Sequence, residues 1–218
     1  MPKAIKFLIG LLLLPLCAGA AQALLQVIRA SGNADTVWVA LLSGAACWLV
    51  IFLMLPKPMW VYVVGHELTH VLWVWIFGGR VKKFKATAKG GHVVTTRTNF
   101  LIALAPYFFP LYGALVILVF MVGQWIGDWT RHRVWFHLLL GAAYAFHITL
   151  TLYVLQNRQS DVTEHGYLFS AVVIWLGNLL VLLAGIPLVT GQVSLEQVCL
   201  WIWQGTVDVF TWIGSWRR

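Results

Sequence analysis

The segment from Met59 to Gly78, MWVYVVGHELTHVLWVWIFG, is an apolar run of membrane-spanning length with His66, Glu67 and His70 in its middle. On an α-helix, His66 and His70 lie one turn apart on the same face, so both imidazoles can bind one metal ion. Glu67 lies about 100° around the helix and can reach a water molecule on that ion without being a ligand itself. This HExxH spacing is typical of zinc-dependent hydrolases.

The apolar surroundings of these residues strengthen the prediction of a metal site. A charge placed in hydrocarbon costs about 2.5–3.5 kcal/mol, so an ionisable group at that depth needs a partner that offsets the cost. A soluble surface helix can carry the same motif by chance, whereas a membrane-spanning helix is destabilised by it. A bound metal ion would supply the missing partner, and we therefore predict one in this helix.

The composition predicts an integral membrane protein. The chain has 218 residues, of which 61% are hydrophobic and only 10% are charged. A soluble domain is about one quarter charged. We expect the chain in a bacterial cytoplasmic membrane, with the lipid bilayer as its surroundings.

The net charge of +8 does not predict nucleic-acid binding. The basic residues lie in short loops between apolar runs, where anionic lipid headgroups are the expected partner, and no nucleic-acid-binding motif is present. The three cysteines, Cys17, Cys47 and Cys199, lie in apolar segments without a CxxC spacing. They therefore predict neither a disulfide framework nor a thiolate zinc site.

The apolar pattern predicts an all-α polytopic membrane protein in which residues 1–218 form a single membrane domain of about six transmembrane helices. Ala21-Gln22-Ala23 resembles a signal-peptidase site, but the length of the first apolar run favours a retained helix. Pro106 and Pro110 predict a kink or a break in the fourth span. The predicted spans cover residues 7–29, 37–55, 59–78, 99–122, 134–155 and 167–189.

Two further elements are predicted outside these spans. A short β-hairpin with a glycine turn is expected after the motif helix, because Gly90-Gly91 lies between the β-prone segments Val81–Phe84 and His92–Thr96. Residues 194–218 predict a Trp-rich interfacial helix, with Ser194 as its N-cap and Gln197 three residues later.

A catalytic zinc site needs a third protein ligand in addition to two histidines. We predict Asp161, because it lies at the junction of the fifth and sixth spans, where several candidate groups occur together. A carboxylate there completes a set of two histidines and one acid. The alternatives are Glu164 and His165 in the same junction and His147 inside the fifth span, and zinc is the expected metal.

The motif helix and the segment that follows it resemble a known family. The run Gly65-His66-Glu67-Leu68-Thr69-His70, followed by Gly78-Gly79-Arg80-Val81, is similar to the metal-binding helix and the following β-loop of the site-2 protease family. An Asp near the end of a later span also belongs to the family pattern and matches Asp161, although the family has Gly where this chain has Val162.

The resemblance implies an intramembrane zinc metalloprotease that hydrolyses peptide bonds in or near the transmembrane segments of other membrane proteins. It implies His66, His70 and Asp161 as metal ligands and Glu67 as the catalytic base. Residues 58–190 would form the metalloprotease-like core, with residues 7–55 as two additional N-terminal spans and residues 194–218 as a tail helix.

Two other functions remain possible from the sequence. One is a membrane zinc protein that is catalytically silent or does not act on proteins. The other is a metal-ion transporter, which the sequence favours less because no histidine-rich loop or set of polar ligands on a neighbouring span accompanies the motif.

Overall fold

The computed structural model describes residues 2–88 and 90–215. Within these ranges the chain is mostly helical and contains one antiparallel pair of strands. The helices are α1 (Lys3–Ala30), α2 (Asp35–Met54), α3 (Met59–Ile76), α4 (Phe100–Leu104), α5 (Leu111–Ile126), α6 (Arg133–Leu155), α7 (Ser160–His165), α8 (Tyr167–Thr190) and α9 (Leu195–Ser215), and the strands are β1 (Val81–Thr87) and β2 (Gly90–Thr95).

Four of these helices, α1, α2, α6 and α8, are long and apolar enough to cross a membrane. The broken pair Phe100–Tyr107 and Leu111–Ile126 would make a fifth span if it is counted as one. These helices are compatible with a membrane protein, while the six predicted spans stay a prediction. The motif helix α3 is not among the four, because His66, Glu67 and His70 lower the mean hydropathy of a helix of only 18 residues.

The chain divides into two compact units. The described parts of residues 1–35 and 160–218 form one unit, and residues 36–159 form the other. In the first unit α1 packs along both α8 and α9 around a core of buried aliphatic residues. These residues are Ala20, Ala23, Val27, Leu179, Leu183 and Val198.

Small residues allow the helices of the first unit to approach closely. A side chain at Gly19 would collide with Thr206 of α9, and a side chain at Gly205 would meet the backbone of Gly19. Such contacts between small residues are typical of helices packed in membranes. The predicted cap of α9 is confirmed, since the Gln197 N–H donates to Ser194 Oγ at 3.1 Å. Its interfacial position stays a prediction, and residues 216–218 lie outside the described part.

In the second unit α2 and α6 make a similar close contact that supports the motif helix. A side chain at Gly44 would overlap the backbone of Leu138, and one at Gly141 would overlap the backbone of Leu41. Trp48 of α2, Tyr62 and Val63 of α3, and Leu150 of α6 then form one buried cluster. The motif helix is thus packed against both α2 and α6.

The predicted hairpin is confirmed, but its turn lies elsewhere. Thr87 pairs with Gly90 and Ala86 with Gly91, so both glycines belong to β2. Gly90 has φ of 135°, a conformation that glycine adopts without strain. Lys89 lies outside the described residues.

Candidate metal centre

The ends of α3 follow from its sequence. Pro58 precedes its first turn, where a missing backbone N–H is harmless. At the other end Gly78 has φ of 68°. The N–H groups of Gly78 and Gly79 donate to the carbonyls of Trp75 and Val74 at 2.9 and 2.8 Å. This Schellman arrangement satisfies the last carbonyls and stops the helix after the motif.

His70 is oriented by a backbone carbonyl from the broken fourth span. Its Nδ1 lies 2.8 Å from the carbonyl oxygen of Ile102. A carbonyl can only accept a hydrogen bond, so Nδ1 carries the proton and donates it. The lone pair of the ring is therefore on Nε2, which is the atom left to bind a metal ion. A metal-ligating histidine usually has such a partner on its other nitrogen.

The Ile102 carbonyl is available to His70 because of a proline. In an uninterrupted α-helix this carbonyl would accept from the N–H of residue 106, and Pro106 has none. The Ala105 N–H does not replace it, since it bonds to the carbonyl of Leu101. Asn99 begins the same short helix, its side chain accepting from the Ile102 N–H at 2.8 Å. The chain then turns by 80° into α5, so the predicted break in the fourth span is confirmed.

Aromatic rings and a small cavity surround His66. Its ring centroid lies 5.0 Å from that of His70 and 5.1 Å from that of Tyr107, which is fully buried. A cavity of about 20 Å³ lies beside it and is also lined by Tyr112 and His147. A volume of this size has room for about one water molecule.

Glu67 is covered by the hairpin. Its side chain is only 5% exposed. A Cβ atom added to Gly91 of β2 would lie 2.6 Å from Glu67 Cγ and 2.8 Å from Oε1. The φ of Gly91 is not positive, so glycine is required here for space and not for backbone conformation. The strand can approach the carboxylate only because residue 91 has no side chain.

His66 and His70 offer two imidazoles on one face of α3, and both side chains are partly buried. Two imidazoles and a carboxylate form a donor set that zinc accepts, and His70 already has the tautomer that a ligand needs. Asp161, the predicted third ligand, is a partly buried residue of α7. Its role as a metal ligand stays a prediction.

The alternative ligands have other surroundings. His165 Nδ1 lies 2.9 Å from Lys6 Nζ, and Glu164 is exposed. His147 lines the cavity next to His66. Its Nε2 atom is buried and has no hydrogen-bond partner among the described residues.

Pro106→Ala is expected to weaken metal binding by about 10–100-fold, the usual cost of losing the partner of a ligating histidine. An alanine at this position restores an N–H that competes with His70 for the Ile102 carbonyl. The measurement is the zinc dissociation constant in competition with a chelator. Pro110→Ala is the matched control in the same broken span, and equal losses in both variants would show that the proline acts only on stability.

Gly91→Ala is expected to reduce turnover by at least about tenfold while leaving the zinc content unchanged. The new methyl group would collide with Glu67 and with the Lys85 carbonyl oxygen, which lies 2.6 Å from its position, so the strand or the carboxylate must move. Gly127→Ala is the control, because nothing lies within 4 Å of its added Cβ. Unchanged turnover in Gly91→Ala would show that the position of β2 does not matter to Glu67.

Sequence reasoning missed the roles of Ile102, Gly91 and Asn99. The role of the Ile102 carbonyl could have been inferred from Pro106, because a proline four residues later leaves this carbonyl without its helical donor. The capping role of Asn99 could have been inferred from its residue type, because asparagine is a preferred N-cap residue. Gly91 was noticed only as a turn residue.

No protein-family model, curated protein or solved structure matches this chain. The function must therefore be argued from the geometry of the site.

Proposed function

We propose that the chain is an intramembrane zinc metalloprotease that cleaves peptide bonds in or near the transmembrane segments of other membrane proteins. The observation that carries the proposal is the arrangement on α3. His70 is oriented by the Ile102 carbonyl, its ring lies 5.0 Å from that of His66, and the buried Glu67 lies on the adjacent helix position. Such a pair of histidines with a neighbouring buried carboxylate suits metal-dependent hydrolysis.

In this proposal His66, His70 and Asp161 hold the zinc ion. When bound, zinc polarises a carbonyl group and lowers the pKa of a coordinated water molecule towards about 7. Glu67 accepts a proton from the attacking water and later passes it to the leaving amine. The hairpin keeps Glu67 out of bulk solvent, which strengthens its electrostatic interactions within the site.

The substrate class follows from the position of the motif within an apolar chain. A transmembrane helix bonds its own backbone groups, so a scissile carbonyl becomes accessible only after local unwinding. The hairpin, whose strands pair only with each other among the described residues, could hold the unwound segment as an added strand. The substrate would then be presented next to Glu67, against which Gly91 lies.

The direct test uses purified protein in liposomes with a mixture of single-span membrane proteins. We expect fragments cut in or near the spans, detected by mass spectrometry. A zinc chelator should abolish the fragments, and added zinc should restore them. Zinc bound at full stoichiometry without any fragments, across a broad mixture, would favour a silent zinc protein. Zinc crossing sealed liposomes would favour a transporter.

A further inference from the structure

A pocket that contains polar groups lies in the unit formed by residues 1–35 and 160–218. The motif helix does not belong to this unit. A pocket of about 300 Å³ is formed by the first turns of α1 and of α8. This volume is within the range of pockets that bind small molecules, about 300–1,000 Å³. The lining residues are Lys3, Ala4, Phe7, His165, Gly166, Tyr167, Leu168 and Phe169.

His165 lines this pocket and carries a buried ring nitrogen that has no hydrogen-bond partner among the described residues. The side chain is only 7% exposed, and its Nε2 atom is buried without a hydrogen-bond partner. Its other nitrogen, Nδ1, lies 2.9 Å from Lys6 Nζ. A charged ammonium group can only donate. Nδ1 therefore accepts, and the proton of the neutral ring lies on Nε2.

The ring is held neutral by its surroundings. Burial lowers the pKa of His165, and the nearby Lys6 charge lowers it further, while Glu164 and Asp161 act in the opposite direction. An N–H donor buried without an acceptor costs about 1–3 kcal/mol. A ligand that brings an acceptor would recover this cost.

The other groups at the pocket favour an anionic acceptor. Lys3 lines it directly, and no acidic residue is among its described lining residues. The first turn of α8 also lines the pocket. Its N-cap residue, Gly166, has no side chain that could accept a hydrogen bond from the first N–H groups of the helix. The N-terminus of this 24-residue helix carries a partial positive charge that attracts anions.

The remaining lining is apolar, and the pocket lies at an expected membrane surface. Phe7 and Leu168 provide apolar walls, which suit acyl chains better than a free inorganic ion. The 28-residue α1 is about 42 Å long, whereas the hydrocarbon core is about 30 Å thick. Its first turns, which carry Lys3 and Lys6, therefore extend to the level of the lipid headgroups.

We propose that the pocket between the starts of α1 and α8 binds the phosphate group of an anionic phospholipid. The His165 Nε2–H and the Lys3 ammonium donate to the phosphate oxygens, and the first turn of α8 adds its positive end. The acyl chains lie along Phe7 and Leu168. The site is independent of the proposed proteolysis.

The test is native mass spectrometry of the delipidated full-length protein with short-chain lipids. We expect one dioctanoyl-phosphatidylglycerol per chain, bound about tenfold more tightly than dioctanoyl-phosphatidylcholine. Lys3→Gln and His165→Phe should each weaken phosphatidylglycerol binding by about tenfold, the effect of one charge-assisted hydrogen bond. Ala4→Phe should weaken it as well, because the ring fills the pocket without removing a charge.

Lys83→Gln, which removes an exposed lysine from β1, is the matched control and should bind the lipid as the wild type does. Zinc content should be unchanged in Lys3→Gln and Ala4→Phe, which separates this test from that of the proposed function. Lys3 is exposed, so its replacement tests the site even if His165→Phe does not fold. Equal affinity for both lipids, or unchanged affinity in Lys3→Gln, would overturn the proposal. Displacement of the lipid by an equal concentration of inorganic phosphate would assign the pocket to free phosphate instead.

Discussion

If the proposed function is correct, the wild-type chain binds about one zinc ion per molecule, and His66→Ala and Asp161→Asn are each expected to lose it. His66 lies on α3 beside His70, and Asp161 is the predicted third ligand. Loss of a direct ligand should cost more affinity than the 10–100-fold typical of an outer partner. The measurement is the metal content of the detergent-purified protein by mass spectrometry.

Two variants control for nonspecific effects on the metal content. His132→Ala removes a half-buried histidine, and Glu196→Gln removes an exposed carboxylate. Both should retain the full zinc content. If His66→Ala loses zinc and Asp161→Asn retains it, the third zinc ligand would be Glu164, His165 or His147 instead of Asp161. A wild-type protein that binds no metal even when zinc is supplied would contradict the enzyme proposal.

Glu67→Gln is expected to retain zinc and to lower turnover by about 10²–10⁴-fold, the usual contribution of a general acid–base residue. The amide keeps the shape of the side chain beneath β2 but cannot accept a proton from water. Cleavage in liposomes and zinc content should be measured on the same preparations. The Glu67 side chain is 5% exposed and lies close to Gly91. Because the amide has nearly the same shape as the carboxylate, the substitution leaves this packing nearly unchanged.

Glu196→Gln is the matched control for this prediction, since it makes the same chemical change at an exposed position of α9. It should cleave at the wild-type rate. Retained cleavage in Glu67→Gln would rule out the proposed base. A loss of zinc together with activity would show instead that Glu67 supports the metal site.

The breaks in the helices were predictable because they depend on local chemistry. Pro58 and the pair Gly78-Gly79 delimit α3 through a missing N–H and a positive φ, both of which are properties of single residues. Pro106 interrupts the fourth span for the same reason. The hairpin was also predictable from its β-prone segments, but its turn was misplaced. Gly91 was taken for a turn residue, while its role is to make room for Glu67.

The number of membrane spans was less predictable than the positions of the helices. Composition identifies long apolar helices such as α1 and α8. It does not decide the status of α3, where polar groups needed for a site lower the hydropathy of the same segment. Function and membrane insertion place opposing demands on the composition of this helix.

The sequence by itself determined the pairing of His66 with His70, because residues four apart on a helix share a face whatever surrounds them. It also determined the position of Glu67 beside them. Only the tertiary structure decided which groups orient and cover these residues. The Ile102 carbonyl is 32 residues from His70 in the chain, and Gly91 is on a strand that follows α3. Such contacts depend on how helices and strands pack, and local sequence periodicity carries no information about them.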